Sequence, residues 1–139
     1  MSDMAERGPI LLVEDDVVDQ VSVQRAFEDL KIVQRLGIKE NGVEALEHLR
    51  DKSAPRPFLI LLDLNVPKMN GLEFLRELRK DEELKMLPVV VLTSSKEERD
   101  KVESFGLNVA GYMIKPVDYR VFVEVIRTID KYWATSEVP

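Results

Sequence analysis

Apolar and polar residues follow one another in blocks that predict five strands alternating with five helices. Short apolar runs rich in β-branched residues are typical of buried strands, and apolar residues spaced three or four apart are typical of one helical face. The predicted strands cover residues 10–13, 33–39, 58–62, 89–92 and 112–114. The predicted helices cover residues 17–31, about 43–49, 72–78, 96–105 and 119 to about 133.

Within this pattern, the run at 58–62 is the clearest strand because it is continuously apolar, as expected for a strand covered on both faces. Strands that alternate with helices predict an α/β fold with one doubly wound parallel sheet. The length of 139 residues suits one domain. We therefore predict a single domain over 1–139, with its core at about 9–133 between short tails.

Some details of the helices are also predicted. Asn41 and Asp118 precede the second and fifth helices and are suitable N-caps. The fourth helix is mostly polar, and Val102 and Phe105 are expected to anchor it to the core.

Composition narrows the function classes. The absence of cysteine excludes a disulfide scaffold, a thiolate zinc site and a cysteine nucleophile. A formal net charge of −6 argues against binding to nucleic acid or an anionic membrane surface. The sequence has no apolar stretch of membrane-spanning length and no signal-peptide pattern at its start, so a cytoplasmic location is expected. His48, the only histidine, is expected to be a solvated surface residue.

Four predicted strands end in polar residues, namely the acids at 14–16, Asp63, Thr93 and Lys115. The carboxyl ends of parallel strands meet at one edge of a sheet, where ligands bind. Crowded carboxylates need a cation, and oxygen ligands suit Mg²⁺. A lysine and a hydroxyl suit phosphoryl oxygens. This combination predicts a phosphoryl-transfer site with a carboxylate nucleophile, although the acids at 14–16 could also simply cap a helix.

Four motifs lie at these strand ends: VEDD at 13–16, DLNVPKMNG at 63–71, VLTS at 91–94 and YMIKP at 112–116. Together they resemble the receiver domain of two-component response regulators, and the resemblance runs from about residue 10 to residue 133. It implies a flavodoxin-like (βα)5 fold with strand order 2-1-3-4-5. It also implies a phosphoprotein that belongs to a phosphorelay and is not a metabolic enzyme. Such a protein at most catalyses its own phosphorylation and dephosphorylation.

The resemblance assigns a role to each acid. Asp63 accepts the phosphoryl group from a histidine kinase. Asp15 and Asp63 bind Mg²⁺, for which Mn²⁺ or Ca²⁺ could substitute, and the backbone carbonyl of Asn65 is a further ligand. Glu14 occupies a position where many relatives have aspartate, and its longer side chain can coordinate the metal through water.

The same resemblance assigns the remaining site residues. Thr93 and Lys115 contact the phosphoryl oxygens, and Thr93 and Tyr112 move together as a switch. Lys115–Pro116 is expected to be a cis peptide. The tuning residues are Asp16, Asn65 and Ser95, of which the last two flank the approach of the hydrolytic water.

Output is expected to pass through association, by homodimerisation, target binding or phosphate relay. The stretches SFGLNVAGY and KPVDYRVF look closest to stand-alone regulators that partner bacterial phytochromes, which implies a phytochrome-type kinase. Asn108 stands where those relatives often have glycine and suits a left-handed turn.

The predicted dimer surface is the face formed by helix 4, strand 5 and helix 5. The fifth helix has an apolar arc at Val121, Phe122, Val125, Ile126 and Ile129, with Tyr119 and Trp133 at the edge of the arc and Val123 outside it.

Three alternatives to the receiver each require a feature that this sequence lacks or lack a feature that it has. A haloacid-dehalogenase-type phosphatase usually has aspartate two positions after its nucleophile, where this chain has Asn65. A flavin-binding domain of flavodoxin type needs a Ser/Thr/Gly-rich loop where this chain has acids. A pseudo-receiver that only binds partners would usually lack Asp63 or Lys115.

Overall fold

A computed structural model describes residues 8–115 together with 120, 121, 124 and 127. Strands and helices alternate through these residues, as the sequence pattern predicts. The strands are β1 Ile10–Val13, β2 Leu36–Lys39, β3 Leu59–Asp63, β4 Val89–Thr93 and β5 Gly111–Ile114. The helices are α1 Val17–Asp29, α2 Gly42–Arg50, α3 Gly71–Lys80 and α4 Lys96–Ser104. Residues 120, 121, 124 and 127 are also helical.

The strands form one parallel sheet in the order β2-β1-β3-β4-β5, which confirms the predicted fold class and strand order. Every residue of β3 and β4 is buried, whereas β2 and β5 lie at the two edges and are partly exposed. The continuous apolar runs of β3 and β4 are therefore explained by helices on both faces of the central strands.

The core consists of two clusters, one on each face of the sheet. Successive side chains of a strand point to opposite faces. Leu11, Ile60 and Leu62 accordingly join α2 and α3 in one cluster, where Phe74 is fully buried. Leu61 points to the opposite face and joins α1 in the other cluster, together with Leu59 of the same strand and Leu12 of β1. This packing holds the carboxyl ends of the strands in fixed positions relative to one another.

Some details differ from the sequence prediction. Helix α1 ends at Asp29 instead of residue 31. Strand β2 begins at Leu36 instead of residue 33, and Val33 in the preceding loop is 66% exposed. The predicted anchoring of α4 by Phe105 is wrong. Phe105 is the C-cap of α4 and is 41% exposed, and its ring stacks against the Arg76 guanidinium, 4.3 Å from the ring centroid. Val102 is buried as predicted.

Some predictions concern residues outside the described part of the chain. These are the Lys115–Pro116 peptide, the Asp118 cap and most of the apolar arc of the fifth helix, although Val121 is described as 46% exposed. The single-domain extent of 1–139 also stays a prediction. Among the described residues, no helix has the length and apolar character needed to cross a bilayer. Asn108 has a φ of 55°, so its predicted left-handed turn is confirmed.

Candidate functional site

The predicted polar residues meet at the carboxyl edge of the sheet. Val13 pairs with Leu62 across β1 and β3, so the residues that follow them, Glu14 and Asp63, lie side by side. A cleft of about 550 Å³ opens at this edge. It is lined by Glu14, Asp15, Asp16, Val17, Val18, Asp19, Asp63, Asn65, Ser94 and Lys115.

Three acids at the cleft form a set of oxygen ligands. One carboxylate oxygen from each of Glu14, Asp15 and Asp63 lies within 4.8 Å of the other two. Glu14 and Asp63 are buried, and Asp15 is exposed to solvent. A hard divalent cation such as Mg²⁺ prefers oxygen ligands and keeps several waters. The chemistry of this donor set fits such an ion.

Lys115 is the cation that faces these acids. Its Nζ lies 2.7 Å from Glu14 Oε1, 2.9 Å from Asp19 Oδ2 and 3.4 Å from Asp63 Oδ2. Burial alone would lower the pKa of Lys115, but hydrogen bonds to Glu14 and Asp19 and the charge of Asp63 raise it above its ordinary value. The side chain therefore remains charged. One ammonium cannot balance all the neighbouring carboxylates, so the described residues at this edge carry an excess of negative charge.

Glu14 is the most buried acid of the site, with an exposed fraction of 0%. Burial raises the pKa of Glu14 to about 7, with a further contribution from Asp63, although the hydrogen bond from Lys115 opposes the shift. The second carboxylate oxygen accepts a hydrogen bond from the Asp16 backbone N–H at 3.2 Å. This carboxylate is thus held in place and, beside Lys115, is stabilised near neutral pH by a proton or by a further cation.

Asn65 and Ser94 line the cleft beside Asp63 and are joined by Glu98 of α4. The Asn65 backbone N–H donates to Asp63 Oδ1 at 3.3 Å, and its side-chain amide donates to Glu98 Oε2 at 3.0 Å. The backbone N–H and hydroxyl of Ser94 donate to Glu98 Oε1 at 2.8 and 3.0 Å. Burial would raise the pKa of Glu98, but these hydrogen bonds outweigh it and lower the pKa.

Thr93 ends β4 and is fully buried. Its hydroxyl has no hydrogen-bond partner among the described residues, and Thr93 is not among the residues that line the cleft. An unpaired buried hydroxyl costs about 1–3 kcal/mol.

Ser95 is also absent from the cleft lining. Its hydroxyl caps α4 by accepting from the Glu98 backbone N–H at 3.2 Å.

Tyr112 and Asp16 also have defined surroundings. The half-buried Tyr112 packs against the core, and the Arg99 guanidinium lies 4.9 Å from its ring centroid. Burial raises the pKa of Tyr112.

Asp16 is the N-cap of α1, because its Oδ1 accepts a hydrogen bond from the Asp19 backbone N–H at 3.1 Å. The capping interpretation of Asp16 is therefore confirmed, while the residue also lines the cleft.

Sequence reasoning did not assign Asp19, Ser94 or Glu98 to the site. Asp19 lies in the first turn of α1, three residues after the cap, and this spacing indicates a helix start without revealing the contact with Lys115. Glu98 follows Ser95 by three residues, which is the spacing of a helix capping box. That pattern indicates a helix start and gives no sign of a contact with Asn65.

Comparison with known proteins is consistent with this geometry. The sequence profile of the response regulator receiver domain matches residues 10–127. Response regulator Rcp1 from Synechocystis sp. is 38% identical over 128 residues, which cover 89% of this chain and 87% of Rcp1.

Solved structures of related regulators have the same fold. The bacteriophytochrome response regulator RtBRR is 41% identical, with a TM-score of 0.83 over 95% of this chain and 84% of that chain. The Mn²⁺-bound form of Rcp1 is 36% identical, with a TM-score of 0.73 over 94% of this chain and 97% of that chain. The phosphorylated cyanobacterial phytochrome response regulator RcpA is 35% identical, with a TM-score of 0.75 over 94% and 96% of the two chains.

Proposed function

Because the chain belongs to the response regulator receiver domain family, we propose that it accepts a phosphoryl group from a histidine kinase on Asp63, in a reaction that requires a divalent cation. The observation that supports this proposal is the buried carboxylate of Asp63, which lies within 4.8 Å of oxygens of Glu14 and Asp15 and 3.4 Å from Lys115 Nζ. Membership of this family also removes the phosphatase and flavin-binding alternatives.

The proposed chemistry is an in-line displacement at phosphorus. An Asp63 oxygen forms a bond to phosphorus while the bond from phosphorus to the kinase histidine nitrogen breaks, and its electron pair returns to the imidazole. The product is an acyl phosphate on Asp63. Lys115, which is already within 3.4 Å of Asp63 Oδ2, keeps its positive charge and pairs with the new phosphoryl oxygens.

The metal site of this reaction consists of Glu14, Asp15, Asp63 and the backbone carbonyl of Asn65. Mg²⁺ is the proposed ion, and when bound it neutralises charge on the phosphoryl oxygens. The Mn²⁺-bound form of the relative Rcp1 supports a divalent cation and suggests that Mn²⁺ can substitute. Glu14 must lose its proton to take part, because metal binding requires an ionised carboxylate.

Hydrolysis of the acyl phosphate is proposed to depend on the residues around Asp63. Asn65 lines the cleft, which supports the proposal that it flanks the approach of the attacking water. Ser95 and Asp16 act indirectly in this proposal, because Ser95 caps α4 and Asp16 caps α1.

The proposed signal is a rearrangement that links Thr93 to Tyr112. Phosphorylation adds about −1.5 to −2 charges at the cleft. The Thr93 hydroxyl, unpaired among the described residues, moves towards this group and leaves space for Tyr112. The affected surface comprises α4, β5 and the predicted fifth helix, through which we propose that the protein dimerises. A coupling free energy of about 1–3 kcal/mol is sufficient for such a switch.

The kinase partner is proposed to be of the phytochrome type. This proposal is supported by the related bacteriophytochrome response regulator RtBRR and the phytochrome response regulator RcpA.

Phosphorylation by acetyl phosphate and Mg²⁺ tests the function. Intact-mass spectrometry is expected to detect one added phosphoryl group on the wild-type protein and on Asp29→Asn, which changes an exposed aspartate at the end of α1. Asp63→Asn is expected to remain unmodified, and chelation of the metal is expected to abolish the reaction. Equal modification of wild type and Asp63→Asn would contradict the assignment of the phosphoacceptor, and an unmodified wild type would favour a pseudo-receiver.

A further inference from the structure

Glu98 connects two separate segments of the cleft, although the proposed chemistry assigns it no role. Its Oε2 accepts the Asn65 side-chain amide from the loop after β3, at 3.0 Å. Its Oε1 accepts both the backbone N–H and the hydroxyl of Ser94 after β4, at 2.8 and 3.0 Å. One carboxylate on α4 therefore receives three donors that lie at or beside the phosphoacceptor.

These contacts differ from an ordinary helix cap, as a comparison with α3 demonstrates. In α3, Asn70 and Glu73 form a reciprocal capping box, in which each side chain accepts from the other's backbone N–H at 2.9 Å. In α4, Ser95 is the N-cap, as Asn70 is in α3, and its hydroxyl accepts a hydrogen bond from the Glu98 backbone N–H at 3.2 Å. The Glu98 carboxylate, however, receives its recorded hydrogen bonds from Ser94 and Asn65. Stabilising the start of α4 does not require a contact to Asn65.

The chemistry of these donors explains what the contact can do. Ser94 and Asn65 both line the cleft together with Asp63. A phosphoryl group on Asp63 would bring three strong acceptor oxygens and about −1.5 to −2 charges to the same place. Glu98 and the phosphoryl group are therefore two anions that require the same kind of donor and repel each other.

We infer that Glu98 is a positioning residue that holds Ser94 and Asn65 in the unmodified protein and gives up these donors when Asp63 is phosphorylated. This inference rests on the proposed function. Its consequence is that Glu98 opposes phosphorylation, because the hydrogen bonds to its carboxylate are lost in the modified state. Release of Glu98 would also free the first turn of α4, which links the phosphoacceptor to the proposed output face.

Binding of beryllofluoride, a mimic of the phosphoryl group, tests this role. With Mg²⁺ present, the apparent affinity is measured by ¹H–¹⁵N NMR titration of the full chain. Glu98→Gln removes the charge and is expected to bind beryllofluoride at least about fivefold more tightly than wild type. A fivefold change is the lower end of typical coupling between interacting sites. Glu98→Asp keeps the acid in the first turn of α4 but shortens its reach, and it is also expected to bind more tightly than wild type.

Two matched controls separate positioning from charge and from capping. Glu97→Gln makes the same change of charge at an exposed neighbour in the same helical turn. Glu73→Gln removes the carboxylate of the capping box of α3. Both controls are expected to keep the wild-type affinity for beryllofluoride. The backbone signal of Ser94 and the side-chain amide signal of Asn65 are expected to shift in Glu98→Gln before any beryllofluoride is added, and not in the two controls.

The outcomes distinguish this inference from the proposed function. Wild-type affinity in both Glu98→Gln and Glu98→Asp, with a normal response of the wild-type protein, would overturn the role of Glu98 and leave the phosphoacceptor assignment intact. An equal gain of affinity in Glu97→Gln would attribute the effect to general charge and would also overturn it. A wild-type protein that does not respond to beryllofluoride would remove the proposed function and this role together.

Discussion

At the scale of single residues, the burial of Glu14 has a consequence for stability that can be measured. The pKa of Glu14 is raised from its ordinary value of 4.5 to about 7 because burial disfavours the charged form. The folded protein therefore binds this proton more tightly than the unfolded chain does. The resulting stabilisation is complete below about pH 4.5 and is lost as the pH rises through about 7.

We expect the free energy of unfolding of the metal-free protein to fall by an amount on the order of 1 kcal/mol between about pH 6 and pH 8 because of Glu14. Urea unfolding in the presence of a chelator measures this change. Glu14→Gln should remove this part of the slope, so the difference between the two proteins isolates the carboxylate. Added Mg²⁺ should stabilise the wild-type protein most at the upper end of this range. Identical slopes for the two proteins would contradict the raised pKa.

Thr93 permits a second test at this scale. The hydroxyl is buried without a partner among the described residues, so replacing it with a methyl group of the same shape removes a cost instead of a bond. We expect Thr93→Val to leave the free energy of unfolding unchanged or to raise it by about 1 kcal/mol. The tyrosine fluorescence response to beryllofluoride should nevertheless be lost if the hydroxyl transmits the change to Tyr112.

Thr93→Ser is the matched control because it keeps the hydroxyl and should keep the response. A loss of stability of about 1 kcal/mol or more in Thr93→Val would indicate that the hydroxyl makes a hydrogen bond in the unmodified protein. A normal fluorescence response in Thr93→Val would contradict the proposed switch.

At the scale of secondary-structure elements, α1 and α4 are each followed by a residue in the left-handed conformation, although the residue types differ. After α1, Lys31 adopts a φ of 57°, and the backbone N–H groups of Lys31 and Ile32 donate to Glu28 O at 3.1 Å and Phe27 O at 2.9 Å. These are the hydrogen bonds of a Schellman motif. After α4, Gly106 has a φ of 60°. A left-handed residue with a Cβ atom is less stable by roughly 1–2 kcal/mol than glycine in the same conformation.

We therefore expect Lys31→Gly to increase the free energy of unfolding by about 0.5–1 kcal/mol, since relief of strain exceeds the added entropy of the unfolded chain. Gly106→Ala is the reciprocal variant. A Cβ atom at Gly106 would meet no atom within 4 Å, so its expected loss of about 1 kcal/mol would come from the backbone conformation alone. Urea unfolding of the three proteins tests both signs. Destabilisation by Lys31→Gly would mean that the lysine side chain makes a contribution larger than the strain.

Some bounds and packing positions of these elements could be predicted from the sequence, and others could not. β3 and β4 could be predicted because strands covered on both faces must be continuously apolar. The start of β2 could not, because Val33 is apolar yet 66% exposed, and a single apolar residue does not reveal whether a neighbour covers it. The exposure of Phe105 could not be predicted for a related reason. Its ring is partly covered by Arg76 on α3, and this contact depends on how two helices pack.

At the scale of the whole molecule, the strand order explains which parts of the site were predictable. Parallel strands carry their carboxyl ends to one edge, so Glu14, Asp63 and Lys115 had to approach each other once the strands were identified. Asp19 and Glu98 reach the site from helices. Their contacts depend on helix rotation and side-chain reach, which no local pattern encodes. The residues to which we assign the proposed chemistry were therefore predictable, whereas the helix residues that contact them were not.

The proposed output surface yields a prediction for the assembly. Val121 is helical and 46% exposed, and it belongs to the sequence segment predicted to form the dimer face. Met86 lies between α3 and β4, outside that sequence segment, and is 74% exposed. Glutamate at an apolar dimer contact would place unpaired charges in an interface and weaken association, whereas glutamate at a solvated position would have little effect.

We expect wild type and Met86→Glu to dimerise when Mg²⁺ and acetyl phosphate are added, and Val121→Glu to remain monomeric at the same protein concentration. Light scattering measures the assembly, and intact-mass spectrometry verifies that all three proteins carry the phosphoryl group. This second measurement is decisive, because a loss of both phosphorylation and association in Val121→Glu would indicate a disturbed site. Dimerisation of fully phosphorylated Val121→Glu would instead exclude this residue from the interface, and a monomeric wild type would direct the search for the output towards a different partner.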